Sequence, residues 1–377
     1  EEQFEMVQYV EKGRKPRWGY FPKEGHPQAV TRFDGTRITP GFLQAIAYEV
    51  YVKNVTFGLL HQWLGDMGMT VSENTLRNRL KKGRKYLDRM VVELKRIALE
   101  KDAVVNCDET WCKVRKYDRY KKCYMWVLVN KAERVVIFFY EDGSRGRDVL
   151  TNFLGDAELK ALMSDGYNAY VFIGDGLKTH RYKDTDHQVC LAHVRAKFVK
   201  ARMEGGDKRA DVFLDNINRL FRFEREYDRE MITDGERTRR RQGLPTMEAM
   251  INLRANLLQE LKSEEEQKSC YMREALNYLH KFWNEAFTYI KDGRYPISNN
   301  LAERAVRPFT TKRKNSLHFG SDEGAEIAAV YHSIISTVKL QGRSAWGYLG
   351  KFFTGFFNGC RDFLSLTPQN IDLAVCQ

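Results

Sequence analysis

The chain has 377 residues, 43% of them hydrophobic, with 62 Lys plus Arg against 50 Asp plus Glu and a formal net charge of +12. This allows roughly two or three domains of about 150 residues, contains no run of about 18 apolar residues for a transmembrane helix, and favours an anionic partner through steering and counterion release. The seven cysteines are scattered from Cys107 to Cys376 with no Cys-x-x-Cys, which argues for a reducing compartment over a disulfide framework.

Residues 1–37 are polar, with Gly, Pro and aromatics at no clear period, the pattern of an irregular arm. The chain starts at Glu1 with no signal peptide in view, as a fragment or trimmed chain would. Thr39-Pro40 predicts an N-cap followed by proline at the first helical position, with Phe42, Ile46 and Val50 at helical spacing. A second helix is predicted over 55–64, broken by Gly65-Asp66-Met67-Gly68, and Ser72 caps a third holding Leu76 and Leu80. Helix, glycine turn and helix make the region 38–100 similar to a helix-turn-helix. The third helix carries Arg77, Arg79, Lys81, Lys82, Arg84 and Lys85. These either contact DNA or form the solvated face of a small bundle.

From Ala103 the pattern turns β-branched and aromatic. Strands are predicted at 103–105, 123–129 and 135–140, then a short helix from Asp148 to Leu154, a strand at 161–163 ending in Asp165-Gly166, and a fifth at 188–191. Three strands, helix, strand, connection, strand is the order of a ribonuclease-H-like sheet, a mixed α/β fold, over 101–193. Residues 194–292 are charged and helical in period, with Phe213, Ile217, Leu220 and Phe221 on one stripe. Arg237, Arg239, Arg240 and Arg241 cluster beside Gly243-Leu244-Pro245, open to phosphate binding or to a solvated hairpin tip. Helical pattern resumes from Asn300 through about 360, and 351–377 is read as a helical tail; Trp346 to Phe357 reads as a packing helix or an interaction surface.

Three acidic positions carry the chemistry. Asp108 follows an apolar run, where a carboxylate is costly without a cation or hydrogen-bond network. Its neighbour Glu109 points to the opposite strand face, so Asp108 is preferred as a ligand. Asp165 shares that context, although Asp-Gly also opens turns. Glu303 lies in dense positive charge. With Asn300 as N-cap it would sit at the N3 position of a capping box, and Arg307, four residues on, can pair with it. Spacing alone does not choose between cap and ligand. Three separated carboxylates brought together are what a two-metal phosphoryl-transfer centre needs. Cys190 and His193 form a Cys-x-x-His pair. Zinc would need two more ligands, and neither His180 nor His187 has a compelling spacing, so a structural role is preferred. Trp111 either packs at a sheet edge or stacks a base. His318 and His332 are expected to be structural.

Residue identity goes further. Cys107-Asp108-Glu109-Thr110, Ser164-Asp165-Gly166-Tyr167 and Cys190-Leu191-Ala192-His193-Val194-Arg195-Ala196-Lys197-Phe198 occur in order. They are followed by Asn299-Asn300-Leu301-Ala302-Glu303-Arg304-Ala305-Val306-Arg307-Pro308, Arg313-Lys314-Asn315 and Gly320-Ser321-Asp322-Glu323-Gly324-Ala325. Over about residues 38–350 the chain resembles the insertion-sequence-66 family of bacterial DDE transposases. The resemblance implies a ribonuclease-H-like catalytic domain, split as 101–193 and 293–350 by a helical insertion at 194–292. It implies a triad of Asp108, Asp165 and Glu303 holding two Mg²⁺ or Mn²⁺ ions, with zinc not expected. Arg304, Arg307, Lys312, Arg313 and Lys314 would neutralise phosphates, and Asn299 and Asn300 belong to the structural motif. The implied activity is metal-dependent cleavage and strand transfer at transposon ends by a cytoplasmic, nucleoid-associated bacterial enzyme. It would act as a homodimer or larger assembly on double-stranded DNA, with the need for accessory proteins open. The alternative is a DNA-binding protein derived from such an enzyme that is inactive or only a nuclease. Three departures stand out: no cysteine precedes Cys107, where the family often has a zinc-type segment; Thr310 occupies a position that holds lysine in some of the wider class; and the arm matches no motif.

Overall fold

The computed structural model describes residues 39–176, 180–263 and 268–372, together with the backbone of residues 4–9 and 17–22. Strands β1 (Phe4–Tyr9) and β2 (Arg17–Pro22) pair antiparallel, Phe4 opposite Pro22. The arm expected to be irregular therefore contains a two-stranded ribbon. Its Val, Tyr, Trp and Phe residues favour extended backbone even without clean alternation. The remainder of 1–38 lies outside the described residues.

Helices α1 (Pro40–Tyr51), α2 (Phe57–Asp66) and α3 (Glu73–Ala98) start where hydroxyl caps dictate: Thr39, Thr56 and Ser72 each accept a backbone N–H from the first turn. A stripe of Leu76, Leu80, Leu87, Met90, Leu94 and Ile97 buries one face of α3. That face docks closely because Gly83 has no side chain; a Cβ there would collide with the Tyr331 hydroxyl and Leu43.

The central sheet follows: β3 (Val104–Arg115), β4 (Tyr120–Asn130), β5 (Val135–Glu141), then α4 (Arg147–Leu154), β6 (Ala161–Ser164) and β7 (Asp186–Val189). Strand order is β5-β4-β3-β6-β7, antiparallel among the first three and parallel from β3 through β6 to β7. The sequence pattern predicts every one of these strands, although β3 runs much further than its apolar start suggests.

Helices α5 (Leu191–Met203), α6 (Ala210–Glu230), α7 (Asp234–Arg241), α8 (Leu244–Lys262), α9 (Cys270–Lys281) and α10 (Trp283–Phe287) form the helical insertion, with their own core around Phe198, Phe213, Ile217, Leu253 and Leu279. The four-arginine cluster is used inside the protein. Arg241 is buried, forks onto Glu224 at 2.7 and 2.8 Å, and donates to the carbonyls of Tyr289, Asp292 and Tyr295. Arg237, Arg239 and Arg240 pair with Glu224, Asp228, Glu230 and Glu236.

The chain then returns to the sheet through α11 (Asn300–Ser316), α12 (Asp322–Leu340) and α13 (Ala345–Phe357). α12 lies along the open edge of β5, where Thr337 and Ser333 hydroxyls accept the N–H groups of Val136 and Phe138 at 2.9 and 2.8 Å, so this edge is covered. One apolar core joins α1, α2 and α3 to the sheet face of Val105, Cys107, Trp126 and Ile137 and to α12 and α13. A second lies under α11, between Ala302, Val306 and Phe309 and the opposite sheet face of Cys112, Val114, Met125 and Val127. Among the described residues no helix is long and apolar enough to cross a membrane.

Candidate active site

Strand alternation sets the site. Even-numbered β3 residues face α11, whereas Val105 and Cys107 enter the other core. Parallel pairing of β3 with β6 ends at Asn106 opposite Met163. Asp108 lies two residues further along β3, and Asp165 is the first residue past the end of β6 at Ser164. Glu109 takes the far face, buried, where Arg145 and the Tyr170 hydroxyl hold its carboxylate. Burial pushes the Asp108 pKa up to about 8; the charges of Glu109, Asp165 and Glu303 add to it, while the Glu109 N–H on Asp108 opposes.

Asp165 does open a turn: its Oδ1 accepts the Tyr167 N–H at 2.9 Å, and Gly166 follows at φ 80°. The insertion braces this turn, with the Tyr278 hydroxyl of α9 donating to the Asp165 carbonyl. A side chain at Gly166 would press on Tyr278.

Glu303 comes from α11, and the capping-box expectation is corrected here. Asn299, not Asn300, holds the cap position, and its side chain does not bond the helix. Instead the buried Asn299 amide donates to the Cys107 carbonyl and accepts from Asn106, both at 2.9 Å. Its backbone N–H meets the Cys190 sulfur at 3.1 Å. Asn299 thus pins the start of α11 to β3 and α5. Glu303 sits one position past the capping box, with its side chain 40% exposed and 3.8 Å from His193 Nδ1. That nitrogen has no hydrogen-bond partner among the described residues. The ligand atoms of Cys190, His193 and Glu303 lie within 4.8 Å of one another. The sequence reading missed the meeting of His193 with Glu303; the signal was available, because α5 starts directly after β7, beside the Asp165 end of β6.

The basic residues sort into different roles. Arg77, Lys81 and Arg84 are paired with Glu73, Glu323, and Asp88 with Glu326. Lys82 and Lys85 are exposed, and Arg79 is half-buried. Arg304, Arg307 and Lys314 project to solvent. Lys312 does not: it is buried, donates to the Val50 carbonyl at 2.9 Å and lies 3.9 Å from the Tyr51 ring centre. Phosphate contact by Lys312 is therefore withdrawn, because its ammonium is enclosed between α1 and α11. Arg313 bonds Thr110 and the Trp111 carbonyl and covers the Trp111 ring at 3.9 Å; that ring is 38% exposed rather than packed into the sheet edge.

The class defined by this arrangement is a mixed α/β protein built on a five-stranded mixed sheet. A family model, the Transposase IS66 family, matches residues 35–327, and the chain belongs to that family. Among similar curated proteins, both from Sinorhizobium fredii, "Uncharacterized protein y4jD" is 27% identical over 255 residues, covering 64% of this chain and 47% of that protein. "Uncharacterized protein y4qI" is 26% identical over 239 residues, covering 63% and 43%. The chain spans under half the length of these relatives.

Proposed function

We propose that this protein is a DNA transposase that cleaves and joins strands at transposon ends through Asp108, Asp165 and Glu303, set on a ribonuclease-H-like sheet. The observation that supports this reading is the bond from Asn299, four residues before Glu303, to the Cys107 carbonyl next to Asp108, together with the pairing of β3 with β6, which leads into Asp165. The strand order, with three antiparallel strands followed by two parallel ones, supports the fold assignment. Oxygen donors are the set that hard divalent cations prefer, and the burial, with the added acidic charge, that raises Asp108 is what such a cation offsets. When bound, two Mg²⁺ or Mn²⁺ ions would acidify a water and stabilise the leaving 3′ oxygen.

The protein's own residues do the rest. Asp108, held by β3, and Asp165, held by its turn, fix two carboxylates rigidly. Glu303, on a helix pinned by Asn299, supplies the third carboxylate. Arg304, Arg307 and Lys314 neutralise nearby backbone phosphates. The freed 3′-hydroxyl then serves as nucleophile on target DNA, so no covalent Ser or Tyr intermediate is needed. The working assembly is a dimer or larger complex on two ends.

Asp108→Asn, Asp165→Asn and Glu303→Gln are each expected to abolish Mg²⁺-dependent cleavage of end-bearing duplex while retaining DNA binding. Full cleavage by any one of them overturns its assignment. Pre-cut ends that bind but are never joined would reduce the activity to that of a nuclease.

A further inference from the structure

Away from the three acids, a cavity of about 700 Å³ opens between α2, α3, the outer half of β3, the end of α11 and the start of α12. It exists because β3 outruns its parallel neighbour. β6 stops at Ser164, so the edge of β3 beyond Asp108 has no strand of the sheet beside it. Phe319 closes on that edge, its N–H on the Lys113 carbonyl and its carbonyl on the Arg115 N–H, both at 2.8 Å. The walls carry Arg77, Lys81, Lys113, Arg115 and Arg313 against one acid, Glu323. Arg77 and Lys81 are already paired with glutamates, whereas Lys113 and Arg115 are exposed and form no ion pair among the described residues. Phe57, Leu317 and Phe319 supply apolar surface. Leu317 is 69% exposed at φ 30°, a strained conformation for a branched residue. Cations beside the exposed Leu317 and the half-buried Phe57 and Phe319 offer a nucleotide both a phosphate partner and apolar surface.

We propose that this cavity is a second nucleic-acid-binding site, which grips the backbone of the DNA strand away from the bond being cut. The proposal rests on the transposase reading above and adds its own residues, Lys113 and Arg115. Lys113 lies five residues beyond Asp108, about 17 Å along the strand at roughly 3.3 Å per residue, and on the other face of the pleat, so the cavity meets a different stretch of DNA from the one at the acids.

The test uses the full chain and a random-sequence 5′-labelled DNA duplex, titrated across a salt series. Lys113→Glu with Arg115→Glu is expected to weaken binding about tenfold or more and to lower the salt slope by about two. Lys113→Gln with Arg115→Gln should show the same direction, and thermal melts confirm folding. A control of equal charge change, Lys131→Glu with Lys208→Glu, should have a smaller effect. Cavity variants that bind like this control overturn the second site and leave the acidic centre standing. A wild-type protein that binds no duplex overturns both. Polyglutamate displacing DNA from the wild type but not from the cavity variants would assign the cavity to an acidic protein segment and likewise overturn the proposal.

Discussion

Asp108 concentrates the electrostatics of the site. Its pKa of about 8 stands above the unfolded value of about 3.9. Between those values the folded state holds the extra proton, so the stability of the ion-free protein falls as pH rises from about 4 through about 8. A divalent cation requires the carboxylate form, so its affinity climbs over the same window and levels off above it. Asp108→Asn should raise the melting temperature in chelator at pH near 8, with little gain near pH 4. Melts that show the same pH slope in both proteins would contradict this. Lys312 offers a second single-residue check. Burial brings its pKa down to about 7, and its partners are Val50 and Tyr51. Lys312→Met should leave the salt slope of DNA binding unchanged, whereas Lys314→Ala should lower it by about one. The inward turn of Lys312 was legible in principle, because it continues the buried stripe of Ala302, Val306 and Phe309. The run of positive charge at 312–314 masked it.

Elements transmit position to the acids. α11 aims Glu303 only because Asn299 ties its first turn to β3, and the partners of Asn299 lie nearly two hundred residues away in the chain. No local pattern could announce that contact, and a capping-box template drew attention to Asn300 instead. Asn299→Ala removes the donor to the buried Cys107 carbonyl and leaves the Asn106 amide only its long bond to the Ser298 carbonyl, and should cost about 2–3 kcal/mol while weakening Mn²⁺ binding more than an equally destabilising change elsewhere. Urea melts and metal titration of Asn299→Ala and Gly83→Ala make the comparison. Gly83→Ala forces α3 away from Tyr331 and should cost about 1–3 kcal/mol with metal affinity retained. Strands and caps, by contrast, were legible. Buried strands spell themselves in Val, Ile and aromatic runs, and Thr39 and Ser72 mark helix starts through their own hydroxyls. Period-two alternation also separated Asp108 from Glu109 before any contact was known.

Across the molecule, the insertion and the sheet behave as one support. Tyr278 braces the Asp165 turn, and Arg241 ties α6 to the 289–295 segment that leads into α11. Arg241→Met leaves the buried Glu224 carboxylate with Arg237 alone and removes the donor to the Tyr289, Asp292 and Tyr295 carbonyls; it should cost about 2–4 kcal/mol, measured by denaturant unfolding, and a loss below about 1 kcal/mol would remove the clamp from the account. Helical period alone located the insertion but could not show that it reaches the acids. The most direct measurement of the central claim is anomalous diffraction from crystals of the full chain soaked in Mn²⁺ with a pre-cut DNA end. The account predicts manganese held by Asp108, Asp165 and Glu303 together beside a backbone phosphate. Manganese absent from that pocket, or held by Cys190, His193 and Glu303 with the aspartates left empty, would contradict it.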